Sequence, residues 1–143
     1  MKSPVEQFTI KNIIPIEFLG YDISFTNASL FMVLSVIISI SFLYFGIKKS
    51  QLIPNRWQSS VEILYEFVAN MVKENVGKGG KSYFPFIFSL FMFILMGNLL
   101  GMVPYSYTFT SQIIVTITLA LIIFVGVTII ALIKHKLKFF TYF

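Results

Sequence analysis

The chain has 143 residues, 57% of them hydrophobic and 12% charged, with a net charge of +5 and no cysteine. That composition excludes an ordinary soluble domain, and it excludes disulfides and thiolate metal centres. The basic residues flank apolar stretches, so their excess reads as a membrane-topology signal and argues for no nucleic-acid partner.

Residues 1–26 read as a polar-mixed outer tail, with acids at Glu6, Glu17 and Asp22. They lack the short apolar core of a cleavable signal peptide. Residues 27–47 carry no charge and predict a first transmembrane helix, since about 20 apolar residues cross a bilayer core. Asn27 or Ser29 is the expected cap, and Lys48-Lys49 ends the span as an interface anchor.

Residues 55–76 carry a different pattern. Trp57, Val61, Leu64, Val68, Met71 and Val72 recur at three- and four-residue spacing, while Gln58, Glu62, Glu66, Lys73 and Glu74 fall mostly on the other side. This predicts an amphipathic helix. It lies in the headgroup interface with Arg56 and Trp57 as anchors, or it packs on a partner subunit. Gly77-Lys78-Gly79-Gly80 stops it; the run lacks the spacing and the final Lys-Ser/Thr of a phosphate-binding loop.

Residues 82–133 contain no Asp, Glu, Lys, Arg or His. The run is too long for one crossing and suits two, at 84–103 and 112–133, joined by a turn at Met102-Val103-Pro104-Tyr105-Ser106-Tyr107. Residues 134–143 form an inner tail opening on Lys134-His135-Lys136. Helices are required because unpaired backbone groups are too costly in lipid. The expected fold class is therefore an all-α membrane protein with three transmembrane helices and one amphipathic interfacial helix.

Lysine and arginine set the orientation. Six lie in 48–83 and three in the C-terminal tail, against two, Lys2 and Lys11, in the N-terminal tail and none in the hairpin turn. Three spans put the nine on one side and the two on the other. The positive-inside rule then places the N-terminus outside and the C-terminus inside.

Enzyme chemistry has little support. The one histidine, His135, sits between lysines at the membrane surface, and no acid lies in any span. No catalytic residue, metal ligand or cofactor is expected. The polar candidates are uncharged. Asn98 sits in the second span, near its outer end, and an amide in hydrocarbon needs a partner: a neighbouring helix, water or another subunit. It reads as a helix–helix hydrogen bond or as the lining of a hydrated outer cavity. Gly97 and Gly101 flank it in a G-x-x-x-G that permits close helix packing. Thr110, Ser111, Gln112 and Thr116 form a second polar cluster that joins the same cavity or satisfies the turn.

Three stretches resemble subunit a of the F-type ATP synthase: LIPNRWQSSVEILYEFV from Leu52 to Val68, YFPFIF from Tyr83 to Phe88, and GNLLGMVPY from Gly97 to Tyr105. The run SPVEQF from Ser3 to Phe8 resembles the start of that subunit. The resemblance implies a proton-translocating stator in the membrane sector, with two offset half-channels lying against a ring of c subunits and a peripheral stalk containing subunit b. It implies no small-molecule substrate beyond protons. It implies a multi-pass protein of the bacterial inner membrane, or alternatively the mitochondrial one. Asn98 matches the asparagine that borders the outer half-channel, with Ser111, Gln112 and Thr116 as companion candidates. Many bacterial relatives carry an acid where Gly101 stands, so the outer path here must use other groups.

The family's essential arginine, with its acidic and histidine partners, lies on two long helices beyond the third span. Arg56 belongs to the surface-helix segment and is not that residue. The resemblance thus makes this chain the N-terminal part of such a subunit, contributing scaffold and outer half-channel, either as a piece of a longer subunit or with another polypeptide supplying the rest. The alternative is a free-standing three-span structural or assembly protein without ion transport.

Overall fold

A computed structural model of the chain describes residues 9–18, 21, 22, 24–48, 51–104 and 106–135. Lys49, one of the expected anchors, lies outside them. The chain divides into two units, residues 1–109 and 110–143. Each is described separately.

The first unit opens with strands that the sequence did not announce. β1 (Asn12–Ile14) pairs antiparallel with β4 (Phe25–Thr26), and β2 (Glu17–Phe18) pairs with β3 (Tyr21–Asp22). The register sets Asn12 against Thr26, Ile14 against Phe25 and Phe18 against Tyr21. The two ladders are successive parts of one nested hairpin that leads directly into the first helix.

α1 (Asn27–Ile47) is capped by Thr26, whose hydroxyl accepts the Ser29 N–H at 3.4 Å. This corrects the expected cap at Asn27 or Ser29. The Asn27 side chain is engaged by the hairpin instead: its Oδ1 accepts Lys11 N–H at 3.2 Å, and its Nδ2 donates to the Thr9 carbonyl at 3.1 Å. The first span is thereby tied to the extended segment before it.

α1 buries its small residues. Ala28, Ser35, Ser39 and Gly46 face inward, while Val33, Ile37, Ile40 and Phe45 are exposed. Lipid is as apolar as a leucine side chain, so burying bulk gains little, and small residues let backbones approach. On Gly46 a Cβ would overlap Val61 of the next helix.

α2 (Arg56–Val76) starts at Asn55, whose side chain accepts the Gln58 N–H at 2.9 Å. It buries Val61, Val68 and Val72 against its neighbours. Trp57 stays 63% exposed, with its ring edge-on to Phe42 of α1 at 6.1 Å. Gln58, expected on the polar face, is buried. Its amide clasps both backbone groups of Gln51, at 3.0 and 3.1 Å, and donates to Glu62 at 2.8 Å. With every polar atom partnered, burial carries no desolvation penalty that would forbid it.

Gly77 ends α2 with φ of 70°, a conformation that favours glycine. A 3-10 stretch, Gly77–Ser82, then turns into α3 (Phe84–Gly101), with Pro85 in the first turn where a missing N–H costs nothing. Tyr65 of α2 meets Phe84 and Phe88 of α3, at 4.8 and 5.9 Å between ring centres. α3 also packs on α1, where Ser39 Oγ donates to the Ser35 carbonyl at 2.7 Å and reaches the Met92 carbonyl at 3.4 Å.

The second unit is built on α4 (Ile113–His135), which follows a 3-10 turn over Phe109–Ser111. α4 exposes large apolar side chains all round, Ile114, Leu121, Phe124 and Ile133 among them. An all-apolar helix surface is stable only in a membrane or a large core. α1, α3 and α4 are each long and apolar enough to cross a bilayer; α2 is the amphipathic fourth helix. The fold class is that of an all-α membrane protein.

Candidate functional site

The C-terminal end of α3 carries Asn98, the polar candidate of the first unit. α3 tightens as it ends: Met102 N–H keeps the helical bond to the Asn98 carbonyl at 3.1 Å, and Val103 N–H bonds only three residues back, to Leu100, at 3.2 Å. Pro104 then prevents continuation. The chain doubles back, and the Ser106 hydroxyl donates to the Leu100 carbonyl. The Leu100 carbonyl at the helix end thus accepts a side-chain hydroxyl in addition to a backbone N–H.

The returning segment inserts two aromatic rings into the first unit. Phe109 is fully buried, its ring 5.2 Å from that of Phe93. Tyr107 is 4% exposed and lies 6.2 Å, ring to ring, from Phe31 of α1. These insertions explain the two glycines. On Gly97 a Cβ would lie 2.6 Å from Phe109 Cε1 and closer still to Cζ. On Gly101 it would overlap Thr108, whose Cγ2 and Cβ stand 2.8 and 2.9 Å away. The glycines therefore admit the chain's own return segment. Gly97 and Gly101, expected to permit close packing between helices, meet Phe109 and Thr108 within the first unit.

Asn98 is exposed on the first unit, one residue round the helix from the Phe109-covered position. The other candidates belong to the second unit. Ser111 is exposed and Gln112 half-buried. The Gln112 carbonyl accepts the N–H groups of Val115 and Thr116, at 3.1 and 3.2 Å, and so opens α4. Thr116 donates its hydroxyl to the Ile113 carbonyl at 3.0 Å. Thr118 and Thr128 likewise donate to carbonyls four residues back, at 2.6 and 2.7 Å. Hydroxyl protons on this helix are committed to its own backbone, and the hydroxyl oxygens keep acceptor capacity. Ser111, Gln112 and Thr116 thus gather at one helix start, and Asn98 stands at the end of the preceding span.

Ser35 and Ser39 went unnoticed in the sequence, although Ser35 is fully buried and Ser39 nearly so. The signal was the spacing of Ala28, Ser35, Ser39 and Gly46, which repeats at seven, four and seven residues and marks one helical face.

Comparison with known proteins draws these features together. The sequence model for the ATP synthase A chain matches residues 29–143. The chain belongs to the ATP synthase A chain family. It is 52% identical over all 143 residues to ATP synthase subunit a of Rhodospirillum rubrum, and covers 59% of that protein. It is 51% identical over 138 residues to ATP synthase subunit a of Paramagnetospirillum magneticum, covering 56% of it. The chain therefore spans a little over half the length of these curated relatives. Membership of a membrane family agrees with the three apolar helices and identifies the protein as one of the membrane.

Proposed function

We propose that this chain forms the outer-access and scaffold portion of a proton-translocating stator in the membrane sector of an F-type ATP synthase. The observation that carries the reading is 52% identity, over the whole of this chain, to a protein named ATP synthase subunit a. In this reading the N-terminal hairpin lies outside a bacterial inner membrane and the lysine-rich turn after α2 lies inside, following the distribution of Lys and Arg. Arg56, Trp57, Lys48 and Lys49 anchor the inner interface. The partners are the c-subunit ring and the peripheral-stalk subunit b.

Asn98, Ser111, Gln112 and Thr116 line the outer half-channel. None of them titrates, so their role is to hold water, with carbonyl and hydroxyl oxygens accepting and amide groups donating. A hydrogen-bonded water file conducts protons without an acid on this stretch of the path. Gly101 fits that reading, because Thr108 fills the space a side chain there would need.

The test is Asn98→Leu in the assembled synthase, reconstituted in vesicles. Proton flux should fall about ten-fold, the rate equivalent of one lost hydrogen bond of ~1.4 kcal/mol. Assembly should be retained, since Asn98 is outside the Phe109 contact. Unchanged flux would remove Asn98 from the path.

A further inference from the structure

A cavity of about 890 Å3 opens where α2 ends and α3 begins. It lies at the end of a membrane span, on the lysine-rich side, and the proton path described above makes no use of it. Its body is aromatic, from Tyr65 and Phe84, and Asn70, Lys73 and Lys81 supply its polar side chains. Neither lysine makes an ion pair among the described residues.

Two glycines build it. Gly77, at φ of 70°, reverses the chain after α2. Gly80 then packs back onto α2: an added Cβ would meet Val72 Cγ1 at 2.7 Å and Val76 Cβ at 3.1 Å. This close return holds Lys81 over the same cavity as Lys73, eight residues earlier. Phe88 stacks on Phe84 at 5.5 Å between ring centres and prolongs the aromatic wall along the span.

We propose that this cavity binds the headgroup of an anionic phospholipid. The phosphate sits between Lys73 and Lys81 with Asn70 as an additional donor, and the first acyl carbons run along Tyr65, Phe84 and Phe88. A free phosphate would satisfy the lysines but leave the aromatic wall uncovered. The wall's continuation into the apolar span argues for a ligand with a headgroup and a tail. Paired lysines beside a membrane span each favour anionic lipid by several-fold.

The experiment uses the protein purified in detergent with phosphatidylglycerol or phosphatidylcholine, and native mass spectrometry to follow bound lipid. Phosphatidylglycerol should be retained in preference to phosphatidylcholine. Lys73→Gln or Lys81→Gln should each weaken retention about five-fold, and the pair about 30-fold. Lys73→Arg with Lys81→Arg should restore it. Lys11→Gln, an exposed lysine of the outer hairpin far from the cavity, should leave it unchanged. Equal retention by the double Gln variant, or an equal loss with Lys11→Gln, would overturn the site. Displacement of the lipid by millimolar inorganic phosphate would overturn its assignment to a lipid.

Discussion

Gly97 shows what a single residue does here. Its missing side chain is the space that Phe109 fills, and that contact closes the end of the first unit. Overpacking of this kind costs about 1–3 kcal/mol. Gly97→Ala should therefore lower the melting temperature of the detergent-solubilised protein, read by circular dichroism. Phe109→Ala in the same chain should recover part of the loss, because the two residues share one contact. A purely additive double variant would contradict the contact. The sequence made Gly97, Asn98 and Gly101 visible as a group, but not what covers them. G-x-x-x-G states only that something approaches closely, and here the approaching segment lies twelve residues downstream beyond a proline turn. Gln58 was misplaced for a related reason. Its polarity suggested solvent, whereas the neighbouring Gln51 backbone and Glu62 supply all its partners inside the fold.

At the scale of elements, the helices were the legible part. Charge-free runs bounded by lysines locate spans because lipid penalises every unpaired polar group. The alternation of Val61, Val68 and Val72 with Glu62, Glu66 and Lys73 gives α2 its polar face. The packing face of α1 was harder to read, because both the lipid and the protein side of a spanning helix are apolar, and only side-chain size separates them. That size rule is testable. Ser39→Leu should overfill the α1–α3 interface and destabilise by about 1–3 kcal/mol. Ile40→Ala, beside it but 62% exposed, should change stability by less than about 0.5 kcal/mol. Thermal unfolding of the two variants, compared with the parent, makes the measurement. The N-terminal hairpin was not legible at all. Its strands are two or three residues long and Pro15 interrupts them, too short for a period of two to emerge. Ile10, Ile13, Ile14 and Ile16 are also all exposed, so burial marks no face on this first arm.

The whole molecule is organised by its solvent. On α1 the large side chains are exposed and the small ones buried, Gly46 and Gly97 admit close neighbours, and the end of α3 is capped by the chain's own return segment. The family match gives this arrangement its setting, and the proposed orientation gives it a direction: hairpin and α3–α4 turn on the outer face, the cavity lysines and the end of α4 on the inner. The absence of native cysteine makes that direction directly measurable. Single cysteines at Thr9, Ser111, Lys81 and Lys134 can be challenged with a membrane-impermeant maleimide, in intact spheroplasts and in inverted vesicles. The account predicts that Thr9→Cys and Ser111→Cys label only in spheroplasts, and that Lys81→Cys and Lys134→Cys label only in inverted vesicles. Labelling of Thr9→Cys and Lys134→Cys from the same face would contradict three crossings and the stator arrangement built on them.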